Sequence, residues 1–104
     1  MTNNQKRLVM RRIHKSVTAR THGNVEITRD GLAKAYPEHR FNLDIKLNEG
    51  YPKEKVIDAL IESMEGWGYT RDPSWTFKSI MMRYRNDQVI ISSGGDRLIH
   101  VQVG

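Results

Sequence analysis

Cysteine is absent from all 104 residues, which excludes disulfides, thiolate metal sites and cysteine nucleophiles. A chain without thiols suits a reducing compartment, and a cytoplasmic location is the expectation. No apolar run approaches the ~18 residues that a membrane-spanning helix needs. The opening "MTNNQKRLVMRRIHK" lacks a continuous apolar core and a small-residue cleavage site, so no secretion signal is expected there. Internal repeats and low-complexity tracts are missing too. The four histidines, His14, His22, His39 and His100, are scattered without an i, i+4 pair, so no metal site is expected. No G-x-S-x-G nucleophile signature occurs, nor any RRM or KH motif.

Charge is unevenly placed. The net value is +5. Residues 1–40 carry nine Lys/Arg against three Asp/Glu, residues 41–75 carry four against seven, and residues 76–104 carry four against two. A basic first third followed by an acidic middle points to an anionic partner for one end of the chain.

Period-two alternation marks the C-terminal quarter as strand. In "SIMMRYRNDQVIISSGGDRLIHVQV", residues 79–103, Ile80, Met82, Tyr84, Val89, Ile91, Ile99, Val101 and Val103 share one face. Arg83, Arg85, Gln88, Ser92, His100 and Gln102 take the other, with Met81, Ile90 and Leu98 among them. A two-residue turn at Asn86–Asp87 predicts pairing of Tyr84 with Val89 and of Met82 with Ile91. A three-residue loop, Gly94–Gly95–Asp96, keeps Ile99, Val101 and Val103 on the face of Val89 and Ile91. A one-residue slip would expose that whole set, so burial selects this register.

"YPKEKVIDALIESMEGWG" supplies the cover for the apolar face. Val56, Ile57, Leu60, Ile61 and Met64 form one helical stripe, opened by Pro52 and closed by Gly66 and Gly68. Its outer side carries Glu54, Asp58, Glu62 and Glu65, which repel phosphate. "FNLDIKL", residues 41–47, alternates as a strand. "SVTARTHGNVEIT" reads as a hairpin about Thr21–His22–Gly23, with Val17 and Ala19 beside Ile27 and Val25. "RDGLAKAYPEH" reads as a single helical turn closed by Pro37. Residues 1–12 are read as a flexible basic arm; for residues 5–13, Leu8, Val9 and Ile13 leave a strand extension or a short helix equally open.

These readings give an α+β fold: one small domain over residues 1–104. An antiparallel sheet of N-terminal hairpin, central strand and C-terminal three-stranded meander packs against one amphipathic helix. The leading function is a small binding protein without catalysis or cofactor, contacting nucleic-acid phosphate through Arg7, Arg11, Arg12, Lys15, Arg83 and Arg85. The alternative is a protein-binding inhibitor or regulatory subunit, or a contact between two copies of the chain. That surface would use the same arginines, Ile90, Leu98 and the 66–77 loop with Trp67 and Trp75. A more distant alternative is a metal-independent nuclease around His100, which the register places on the face of Arg83 and Arg85. Plain solvation also accounts for Arg, His and Gln on an exposed strand face.

Overall fold

The structure, a computed structural model, describes residues 2–30, 41–73 and 79–104. Among the described residues there are two helices, α1 (Asn3–Thr21) and α2 (Lys53–Gly66), and six strands. The strands are β1 (Val25–Asp30), β2 (Asn42–Leu47), β3 (Thr70–Arg71), β4 (Ser79–Tyr84), β5 (Asp87–Gly95) and β6 (Leu98–Val103). They form one antiparallel sheet in the order β1-β2-β6-β5-β4-β3. The α+β class holds. The turn expected around Pro37 and the residue Trp75 lie outside the described residues.

The N-terminal hairpin is replaced by a helix and a strand. Met10, Ile13, Val17 and Thr21, all buried, recur at spacings of three, four and four, and line the inner face of α1. A capping box opens the helix: Thr2 Oγ1 accepts from Gln5 N–H at 3.2 Å, and Thr2 N–H donates to Gln5 Oε1 at 2.8 Å. His22, in the left-handed region at φ 51°, closes it. The His22–Gly23 pair is therefore a helix terminus, and only the second half of the expected hairpin, β1, is strand. Burial of the 3.6-period stripe outweighs the β preference of Val17, Thr18 and Thr21. Lys6, Arg7, Arg11 and Arg12 accordingly sit on a helix with a buried seam.

Both helices pack on the same face of the sheet. The core joins Met10, Ile13 and Val17 of α1 to Val56, Leu60 and Met64 of α2, over Leu43, Ile45, Leu47, Met82, Val89, Ile91, Ile99, Val101 and Val103. β2 pairs with β6, setting Leu43 against Val101 and Ile45 against Ile99, and so joins the two halves of the chain. Helix α2 matches the sequence reading and ends in a Schellman motif. Tyr69 N–H donates to Met64 O and Gly68 N–H to Glu65 O, both at 3.0 Å, with Gly68 at φ 95°.

The meander keeps the expected faces with different turns. Tyr84 pairs with Asp87, Met82 with Val89 and Ile80 with Ile91, so the first turn is Arg85–Asn86 and not Asn86–Asp87. The register differs by two residues from expectation, which preserves the inward set. The second loop is Asp96–Arg97, because Gly95 pairs with Leu98. A two-residue loop alone would turn Ile99 outward; a bulge between Ser93 and Gly95 restores the parity and pairs Ile91 with Val101. The three-residue loop reached the right faces by a different count.

Candidate phosphate-binding helix and aromatic cleft

Helix α1 holds Lys6, Arg7, Arg11, Arg12, Lys15 and Arg20 and no acidic residue. Arg7, Arg11 and Lys15 follow at i, i+4 and i+8, along one flank of the helix outside the buried seam, and all three are exposed. Like charges at that spacing oppose the helix by a few tenths of a kcal/mol per pair, on the order of. Cations in the first turns also oppose the helix dipole. The ion pairs given by the described residues use Arg20, Arg83 and His100, and Arg7, Arg11 and Lys15 enter none of them. The ridge is thus a concentration of charge that the ion pairs among the described residues leave unneutralised.

Arg20 does structural work instead. It donates to Glu62 Oε2 at 2.8 Å and to Ser63 Oγ at 3.1 Å, and Ser16 and Ser63 hydroxyls meet at 2.5 Å. With Arg12 beside Trp67 at the far end of α2, these contacts set the helices antiparallel. The helix layer consequently has a basic half and an acidic half.

Where α1 begins and α2 ends, a shallow concavity opens, lined by Leu8, Arg12, Trp67, Tyr69, Tyr84 and Asp87. The exposed large hydrophobics among the described residues are Leu8 at 57% and Tyr84 at 38%, and both line it. The Arg12 guanidinium lies 4.3 Å above the Trp67 ring, and Trp67 packs against the core. Tyr84 stands 5.6 Å from Tyr69, and the Arg85 guanidinium lies 5.3 Å over the Tyr84 ring. Burial, with Asp87 nearby, pushes the Tyr69 hydroxyl above its ordinary pKa, while Arg12 works against the shift. Leu8 also borders a second hollow with Asn4, Arg7 and Arg11, so ridge and concavity share a wall.

The six arginine and lysine positions expected to act together are divided. Arg7, Arg11, Arg12 and Lys15 lie on α1. Arg85 is at the turn, at φ 56°, and reaches the concavity through Tyr84 instead of joining Arg83 on the sheet. Arg83 projects from the face without helices, where its Nε donates to Asp72 Oδ2 at 2.9 Å. Ile90 and Leu98 are half-buried on that same face, whereas Met81 is buried there. Trp67 belongs to the concavity.

His100 has an acidic neighbour that sequence spacing did not reveal. Asp44, opposite it on β2, places Oδ1 2.5 Å from His100 Nδ1, and Asp44 is 9% exposed. A carboxylate so placed fixes the orientation of the imidazole. Arg83 is two strands and two side-chain rows away, roughly 16 Å between Cα atoms by sheet spacing, and Asp72 engages it. Arg83 is therefore not beside the ring, whereas Lys46 lies one side-chain row from Asp44 on the same face of β2. The signal for the His100–Asp44 pair was present in the alternation of both strands, but the pairing of β2 with β6 was not. Among the described residues, no group of His, Asp and Glu has the arrangement of a metal site, and no helix is long and apolar enough to cross a membrane. Compared with known proteins, the chain matches no family model, no curated protein and no solved structure.

Proposed function

We propose that this chain is a small non-catalytic binding protein, cytoplasmic in setting, that takes the phosphates of nucleic acid on the outer face of α1. The observation that carries the reading is the row Arg7–Arg11–Lys15, exposed and outside the ion pairs among the described residues, on a helix without a single acid. Eight residues of helix rise about 12 Å, so three cations can follow successive phosphates along one strand. Arg12 lies on the same helix, Arg85 lies over Tyr84 at the concavity, and the acidic outer face of α2 confines the partner to the α1 side. These are positioning contacts to the backbone, without a base code.

The test is a salt titration of fluorescent DNA and RNA binding. Three phosphate contacts predict a slope of log K against log salt of about −2 on a single strand and nearer −3 on a duplex. Replacing Arg7 and Arg11 by Ala should flatten that slope by about 1 per side chain. Absence of binding at low salt removes the reading. A protein-binding role is the second reading, favoured by the exposure of Leu8 and Tyr84 on one concavity. It predicts a partner held tightly at high salt, because apolar contact is not screened.

A further inference from the structure

We infer that the concavity beside α1 takes a single unstacked nucleobase, which makes the chain a binder of single-stranded nucleic acid. This rests on the phosphate reading above and deepens it. The concavity and the ridge meet at Leu8, which lines both hollows. A strand lying along Arg7, Arg11 and Lys15 therefore passes the mouth of the concavity.

The walls suit a flat, neutral ring. One wall is the Arg12 guanidinium, held 4.3 Å over Trp67; the ring beneath packs on the core, so the cation is presented as a supported plane. Bases stack on guanidinium planes as they do on aromatic rings. The other wall is Tyr84. A Cβ at Gly68 would come within 3.1 Å of its Cε2, so the glycine lets the phenol ring lie against the end of α2. Tyr69, 5.6 Å from it, lines the concavity as well.

Asp87 also lines the concavity, and its negative charge disfavours a phosphate there. Phosphate is thereby kept on the ridge while the base turns inward. A duplex presents no free base face without unstacking.

The experiment measures anisotropy at fixed low salt with a short labelled single strand, its duplex, and the same strand carrying abasic sites. The intact single strand should bind about tenfold tighter than the abasic one, the scale of one stacked base. Arg12→Lys, which keeps the charge and loses the plane, and Tyr84→Ala should each bring that ratio close to one, whereas Tyr84→Phe should preserve it. Circular dichroism establishes that each variant is folded, and if Tyr84→Ala is not, Arg12→Lys still decides. Equal affinity for intact and abasic strands, with the salt slope retained, overturns the base site and leaves the phosphate ridge standing. No binding of any strand overturns both.

Discussion

Tyr69 and Gly94 show how single atoms are committed in this fold. The Tyr69 hydroxyl has its pKa raised above 10.0 by burial and by Asp87, so the folded state favours the neutral phenol. That contribution is complete below the ordinary tyrosine pKa and is lost as pH rises through the higher folded value. Urea unfolding of wild type and Tyr69→Phe, followed from about pH 9 to about pH 11, should show the variant gaining on wild type as pH climbs. A constant difference would mean that the phenol does not ionise with unfolding. At Gly94 a Cβ would overlap His100 Nε2, and the His100 ring is already held by Asp44 at Nδ1. Gly94→Ala should cost about 1–3 kcal/mol, and most of that should return in the double variant with His100→Ala, measured by the same denaturation. Asp44 and His100 stand at alternating positions of two strands distant in sequence. Their residue types were legible, but their contact depended on which strands are neighbours.

At the scale of elements, α1 is where local and tertiary preferences part. Its interior holds Val17, Thr18 and Thr21, which favour strand, and Arg7, Arg11 and Lys15, which repel one another. Two features favour the helix, the Thr2–Gln5 capping box and the buried seam of Met10, Ile13 and Val17, while the buried Thr21 hydroxyl is satisfied by donating to Val17 O at 2.7 Å. Thr2→Ala should therefore cost about 1 kcal/mol, read as a lower urea midpoint at unchanged slope. The spacing of Met10, Ile13 and Val17 was a visible helical signal, but the Val/Ala alternation around Thr21–His22–Gly23 competed with it. Helix α2 carried no such conflict, because its stripe from Val56 to Met64 and its terminal Gly68 agree. Strands β2, β4, β5 and β6 were similarly legible from alternation. Their turns were not, since a register shift of two, or a bulge that absorbs one residue, leaves the same side chains buried.

For the whole molecule, the decisive fact is the segregation of charge in the helix layer. Arg7, Arg11 and Lys15 on α1 repel one another, and screening should relieve them. Thermal unfolding in increasing salt should accordingly show a rising midpoint at low to moderate ionic strength, by a few degrees. A falling midpoint would mean that exposed ion pairs such as Arg20–Glu62 outweigh the repulsion. Sequence by itself determined the α+β class, the inward faces of the meander, the amphipathic α2 and the basic character of the first third. Each of these is written in the period or sign of neighbouring residues. Tertiary structure alone decided that both helices share one face, that Arg83 is drawn away to Asp72 while Arg85 joins Tyr84, and that Leu8, Arg12, Trp67 and Tyr84 surround one hollow. Those residues are far apart along the chain, and only the joining of β2 to β6 and the antiparallel seating of α1 on α2 bring them together. Periodicity shows which side of an element is buried, but not which other element buries it.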